Sequence, residues 1–133
     1  MKLNPHNTAI IKRLLVGRSS RPLHGILAKV EGADLATLIS TLVPRERKLL
    51  LEALRNLGRD HEALLLLPEQ QLSEITNEMS DQELLNLIIY AREEDAAHIL
   101  RQVGEARRTD VLAMVETPKR VRIGQFMAYP EDS

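Results

Sequence analysis

Residues that end or begin helices interrupt this chain about every twelve positions. Glycine and proline end helices, whereas serine and aspartate favour their starts. Between the interruptions apolar residues recur at helical spacing, as in Leu35, Leu38, Ile39 and Leu42. The pattern predicts about eight to ten short helices, arranged as antiparallel pairs. The interruptions fall at Gly32, Pro44, Gly58, Pro68, Ser80-Asp81, Glu93-Glu94-Asp95, Gly104 and Pro118.

A pair of short helices cannot bury its apolar face alone, so neighbouring pairs must stack on each other. We therefore expect an all-α superhelical stack, or solenoid, without strands. Aromatic residues are limited to Tyr90, Phe126 and Tyr129, which leaves an aliphatic core. Such a stack typically offers an extended surface to a partner.

Composition excludes several classes of protein. The chain contains no cysteine, which rules out disulfides and thiolate metal sites. No apolar stretch reaches the roughly 20 residues of a membrane span, so this segment should not insert directly into a membrane. P-loop, dinucleotide-binding and nucleophile-elbow motifs do not occur, and no acid is placed to orient His24 beside Ser19-Ser20. The sequence therefore predicts binding rather than enzyme catalysis.

Several local signals locate the helix ends. The first helix is predicted from Asn7 to Val16, followed by a turn over residues 17–22. Pro44 is expected at the first position of a helix, where a missing N–H costs nothing, and Pro68 should play the same part. Ser80 and Glu83 have capping-box spacing. Thr117-Pro118 predicts the start of a last helix.

Charge is distributed unevenly along the chain. Residues 1–32 contain six Lys and Arg against Glu31 alone, and residues 60–95 contain ten Asp and Glu against Arg92 alone. The two segments can simply be solvated faces, or the acidic one can attract a cation or a basic partner. Nucleic acid is not an expected partner, because the basic segment has no aromatic residues to stack on bases and the acidic segment repels phosphates.

Three stretches resemble the cytosolic N-terminal domain of MgtE-type magnesium transporters. They are His24–Ile39, with a short helix, a break and then Ala-Asp-Leu; Glu94–Leu100, with an acidic helix start and two small residues; and the closing Ala128–Ser133. The resemblance implies one helical superhelix over residues 23–133. With the N-terminal helix and turn that local signals predict for residues 1–22, we expect one domain overall. It also implies that paired CBS domains and a membrane pore follow Ser133 in the whole protein.

The function implied by the resemblance is regulation of magnesium transport. The domain would sense magnesium, or relay its occupancy to the pore, through contacts with CBS domains of the same protein. A second subunit, forming a homodimer, is a further possible partner. The implied location is the cytosolic side of an inner-membrane transporter. The alternative is a helical interaction module outside transport, such as the flagellar motor switch type.

Glu94 and Asp95 are the candidate magnesium ligands. Magnesium prefers oxygen ligands and keeps several waters, so one or two carboxylates can hold it weakly in a site shared with a partner domain. A structural reading is also open, since acids at a helix start complement the helix dipole. Glu94 and His98 have the spacing of metal ligands, but no second pair completes a transition-metal site. In the family, two aspartates and a third acid one turn later are common at this position.

Overall fold

The computed structural model describes residues 1–129, and over that range the chain forms ten α-helices and no strand. The helices are α1 Pro5–Gly17, α2 Ser20–Leu27, α3 Gly32–Thr41, α4 Pro44–Asn56, α5 Asp60–Leu65, α6 Glu69–Glu78, α7 Asp81–Tyr90, α8 Glu93–Arg101, α9 Glu105–Ala113 and α10 Thr117–Met127. The expected all-α stack of short helices is confirmed.

The chain divides into two compact units, the first over Met1–Leu67 and the second from Pro68 onward. The first unit contains α1 to α5 and the second contains α6 to α10. The boundary that the sequence suggests between residues 22 and 23 remains a prediction.

In the first unit, α1 packs on α2 and α4, and α3 packs on α5. Ile11 and Leu15 are buried on α1, and Leu23 and Leu27 are buried on α2. Each pair is four residues apart, so both side chains lie on one face of their helix. Burying one such side chain stabilises the fold by about 1.5–3 kcal/mol. The core is aliphatic, as expected.

In the second unit, α8 packs on α7 and α10, and α7 packs on α9. Glu93 at the start of α8 pairs with Arg122 in the middle of α10, and Arg101 at the end of α8 donates to the carbonyl of Phe126 near the end of α10. These contacts show that α8 and α10 run in the same direction. In a stack of antiparallel pairs, two helices that are separated by one other helix in the chain run in the same direction.

Helix starts follow the capping signals closely. Ser80 Oγ accepts from the Glu83 amide across 3.1 Å, and Glu83 Oε1 accepts from the Ser80 amide across 3.0 Å, which confirms the capping box. Pro44 is the first residue of α4. Asn4 Oδ1 accepts from the Asn7 amide, and this cap starts α1 at Pro5 rather than at Asn7.

Other helix boundaries differ from the sequence prediction. Pro68 and Glu116 are the cap residues of α6 and α10, so Pro68 precedes its helix and Thr117 is already helical. The turn after α1 is shorter than predicted, because α2 already begins at Ser20. Pro22 is compatible with the first turn of α2, where its missing N–H removes no hydrogen bond.

The short turn after α1 depends on the backbone of Arg18. Arg18 adopts φ 54° and ψ 37°, in the left-handed region. The Ser19 amide then donates to the Leu14 carbonyl and the Arg18 amide to the Leu15 carbonyl. This is the Schellman arrangement, which satisfies carbonyls at the helix end within two residues.

The three aromatic side chains lie outside the core: Tyr90, Phe126 and Tyr129 are 79%, 43% and 68% exposed.

None of the helices in residues 1–129 combines the length and the apolar character needed to cross a bilayer. Of the closing stretch Ala128–Ser133, residues 130–133 fall outside the described range.

Candidate functional site

The candidate site is the first turn of α8, where Arg92 is the cap residue and Glu93, Glu94 and Asp95 follow. Three consecutive acids at this position face the positive end of the helix dipole. The same end of the dipole opposes the approach of a cation. The turn therefore supplies carboxylates in a setting that weakens metal affinity.

Two of the three carboxylates are paired within the second unit. Asp95 Oδ2 lies 3.3 Å from Arg92 Nε, with a quarter of the Asp95 side chain exposed. Glu93 Oε1 accepts from Arg122 Nε across 2.9 Å. Hydrogen bonding to its own backbone N–H, followed by the Arg122 interaction, holds the pKa of Glu93 below its usual value.

Glu94 is the remaining carboxylate of the turn, and its side chain is exposed. Among residues 1–129 it has neither a hydrogen-bond nor an ion-pair partner. The structure therefore places one free carboxylate beside the partly exposed, paired carboxylate of Asp95. Together they offer oxygen ligands from one surface only.

Cations from neighbouring segments surround the start of α8. Lys119 Nζ donates to the Ala91 carbonyl across 2.6 Å, immediately before the helix. Arg122 reaches Glu93 from α10, and Arg92 reaches Asp95 from the cap position. Charges this close oppose a dication by Coulomb repulsion, which solvent reduces but does not remove. The surroundings favour weak, water-mediated contact with a cation.

A complete metal site is not assembled within the part of the chain that the structure describes, since no group of three or more His, Asp or Glu side chains converges there. His98 lies one turn after Glu94 on the same helix and is half-buried. In the first unit, His61 Nδ1 lies 3.2 Å from Asp60 Oδ1, and Glu62 Oε1 pairs with Arg59 Nε across 2.6 Å. His61 and Glu62 are thus both engaged locally.

Sequence reasoning found the acids of this turn but missed the basic residues that position it. Arg122 and Lys119 lie 29 and 28 residues along the chain from their partners Glu93 and Ala91. Lys119 lies in the first turn of α10 and Arg122 in the middle of that helix, and the only signal for either residue in the sequence is its positive charge. Periodicity does not reveal which helix end each of them contacts.

Comparison with known proteins identifies the family. The sequence profile of the MgtE intracellular N domain matches residues 30–132. A solved structure described as the soluble part of a magnesium transporter superposes with a TM-score of 0.80 at 11% sequence identity, covering 96% of this chain and 50% of that one.

The chain therefore spans half the length of that solved structure, and at this identity the likeness shows the fold alone. No curated protein matches the sequence. The family profile covers more than three quarters of the chain and includes the whole of α3 to α10, and the candidate site lies inside it. The chain belongs to the MgtE intracellular N domain family.

Proposed function

We propose that this chain is the regulatory cytosolic domain of a magnesium transporter, and that it senses magnesium or relays its occupancy to the pore through CBS domains. Membership of the MgtE intracellular N domain family supports the proposal. The fold shared with the soluble part of a magnesium transporter supports it as well. The observation that carries it is the free, exposed carboxylate of Glu94 beside Asp95 at the start of α8.

The chemistry of magnesium fits a site shared between two surfaces. Magnesium demands octahedral oxygen coordination, loses its waters reluctantly and needs only one or two carboxylates. Glu94 would accept hydrogen bonds from metal-bound water or bind the ion directly. Asp95 would add a second oxygen at the expense of its contact with Arg92. The remaining ligands would come from a CBS domain.

Charge supplies the switching mechanism. Glu94 and Asp95 would hold magnesium together with oxygen ligands of a CBS domain, and the shared ion would hold the two surfaces together. Without it, Glu94 and Asp95 would lose the ion that links them to the partner, and the domain would separate from it. The pore responds to this displacement, so the domain acts by binding rather than by catalysis. A second subunit in a homodimer would double the number of such contacts.

The main alternative is an interaction module of the flagellar motor switch type, which shares the stacking of short helices. Membership of a family of magnesium-transporter domains favours transport. The sequence encoded beyond Ser133 tests the choice directly. The proposal expects CBS-like sequence followed by about five apolar spans of membrane length.

Calorimetric titration of the isolated chain with magnesium chloride tests the shared site. We expect weak binding, in the millimolar range, because half a site surrounded by Arg92, Lys119 and Arg122 holds a hydrated dication poorly. The Glu94→Gln variant should lose this weak magnesium binding. Saturable micromolar binding to the chain alone would contradict a site shared with a partner.

A further inference from the structure

The first unit carries an excess of positive charge that regulation by magnesium does not use. Residues 1–67 contain eleven Lys and Arg against six Asp and Glu, a formal charge of +5, whereas residues 68–133 contain seven against thirteen, a charge of −6. The excess is densest in α1 and α2, where residues 1–30 contain no acid at all. Both helices precede the family match, which starts at residue 30.

Four of these cations define what we call the cationic edge: Lys12 and Arg13 in the second half of α1, Arg18 in the turn, and Arg21 in α2. Arg13, Arg18 and Arg21 are exposed. No side chain of the four forms an ion pair or a hydrogen bond with another residue in the range 1–129. Their charges are therefore not neutralised within the described fold.

The cationic edge also carries apolar surface and an adjacent groove. Val16, three residues after Arg13, is 69% exposed. A groove of about 130 Å³ lies beside the turn, where Arg18, Ser20 and His24 supply polar groups and Leu15, Leu23 and Leu49 supply apolar ones. Glu52 and Asn56 also line it. Cations surrounding an apolar surface are typical of proteins that lie on the interface of a bilayer.

We propose that the cationic edge binds the surface of an anionic lipid bilayer, with Arg18, Ser20 and His24 facing a lipid phosphate. The bilayer is favoured over nucleic acid because the first unit contains no aromatic residue for stacking. It is favoured over an acidic protein because a bilayer accommodates exposed Val16 among the cations. The inference rests on the proposed function only in placing a bilayer within reach of the domain.

Co-sedimentation of the 133-residue chain with vesicles tests the inference. The probes are vesicles of equal parts phosphatidylglycerol and phosphatidylcholine, compared with phosphatidylcholine alone. One Lys or Arg near an anionic surface contributes about fivefold to binding, so Arg13→Gln with Arg21→Gln should weaken binding to the anionic vesicles about 25-fold. Raising the salt to about 0.5 M should also abolish it.

The matched control is Arg45→Gln with Lys48→Gln at the start of α4, which removes two other exposed cations from the same unit. Because these two cations are outside the cationic edge and would reach the bilayer only through attraction that salt screens, this pair should weaken binding less than Arg13→Gln with Arg21→Gln. Circular dichroism establishes that both double variants are folded. If both double variants weakened vesicle binding equally, binding would depend on the net charge of the chain and not on the cationic edge, and the proposal would be overturned.

Two further measurements exclude other ligands. Soluble glycerol phosphate at millimolar concentration should not displace the chain from vesicles, and complete displacement would reassign the edge to a free phosphate. Sedimentation velocity at low salt should show no self-association that depends on Arg13 and Arg21. Self-association lost in that variant would assign the edge to a second copy. Equal binding to neutral and anionic vesicles would overturn the proposal outright.

Discussion

Arg107 Nε lies 2.7 Å from Asp81 Oδ1, which ties the first turn of α9 to the first turn of α7. The same guanidinium donates to the carbonyl of Thr76 across 2.6 Å and to the carbonyl of Met79. These carbonyls lie at the end of α6, where the Thr76 carbonyl also accepts from the Met79 amide, and Arg107 gives both a charged donor. One side chain therefore fixes the junction between α6 and α7 from a distance of about 30 residues in the chain.

The first unit contains a related arrangement. Arg59 Nη1 donates to the carbonyl of Leu27 at the end of α2 and to that of Val30 in the turn that follows, each across 2.7 Å. Its Nε pairs with Glu62, as Arg107 pairs with Asp81. In both units an arginine thus satisfies carbonyls at the end of an earlier helix and pairs with an acid in the first turn of a helix.

Arg107→Ala should destabilise the fold by about 2–3 kcal/mol, because it leaves two partly buried carbonyls and one carboxylate without their charged partner. Arg107→Lys should recover only part of this, since an ammonium cannot reproduce the planar fork. Urea unfolding followed by circular dichroism measures both effects. Arg45→Ala, at an exposed arginine without a partner among the described residues, is the control and should stay within about 0.5 kcal/mol of the parent. Equal stabilities for the two alanine variants would contradict the account of Arg107.

Two helix ends use the same turn with different residues. The left-handed position after α1 is Arg18, and after α4 it is Gly58 at φ 71°. Arg18→Gly should stabilise the fold by up to about 1 kcal/mol by removing backbone strain, and Gly58→Ala should destabilise it by about 1 kcal/mol. A methyl group at Gly58 would meet no neighbouring atom, so any loss there measures backbone conformation. Thermal unfolding of both variants checks the opposite signs, and a shift in the same direction would contradict the assignment.

Asp60 makes stability depend on pH. Burial raises the pKa of its carboxyl, but hydrogen bonds from His61 and from backbone N–H groups outweigh that effect, so its pKa is lower in the folded chain. A lowered folded pKa stabilises the fold above the unfolded pKa of about 3.9, and the contribution is lost as the pH falls through the folded value. Asp60→Asn should therefore be less stable than the parent at pH 6, and the difference in unfolding free energy should be smaller at pH 3.

Urea unfolding of both proteins at pH 6 and at pH 3 measures this change. Glu69→Gln, at an exposed residue of α6, is the matched control, and its stability to urea should equal that of the parent at both pH values. A constant difference between Asp60→Asn and the parent across this range would assign the role of Asp60 to packing instead of charge.

Much of the fold follows from local signals in the sequence. Leu35, Leu38 and Ile39 are buried on one face of α3 as their spacing predicts, and Ser80 caps α7 as predicted. The predicted turn over residues 17–22 is too long, so the predicted start of α2 is wrong. Arg18 occupies a backbone region that usually selects glycine, and this shortens the turn. Contacts between residues about 30 apart, such as that of Arg107 with Asp81, leave no trace in helical periodicity.

The candidate site shows the same division between local and long-range information. Glu94 and Asp95 are candidates because the stretch resembles the family's acidic helix start, and the structure places both in the first turn of α8. The sequence did not reveal that Arg92 pairs with Asp95, or that Arg122 reaches the same turn from α10. A single chain also carries no information about which surface supplies the remaining ligands.

Folding should not require metal, because the core is aliphatic and no group of three or more metal-ligating side chains lies among residues 1–129. Thermal unfolding followed by circular dichroism should give the same midpoint in millimolar magnesium and in excess chelator. A midpoint that falls by several degrees with chelator would assign a structural ion to the domain.

The central claim is that Glu94 and Asp95 hold the ion that closes the transporter. Its most direct test is the magnesium concentration giving half-maximal inhibition of transport by the full-length protein. Losing one hydrogen bond from metal-bound water to a charged group costs about 1.5 kcal/mol, which corresponds to about tenfold. Glu94→Gln with Asp95→Asn should therefore raise this concentration about tenfold or more.

Glu69→Gln with Glu74→Gln removes two exposed acids from α6 of the same unit and serves as the matched control. It should leave the magnesium concentration for half-maximal inhibition unchanged. An unshifted concentration for the Glu94 and Asp95 variant, in a protein with normal folding and transport, would contradict the account.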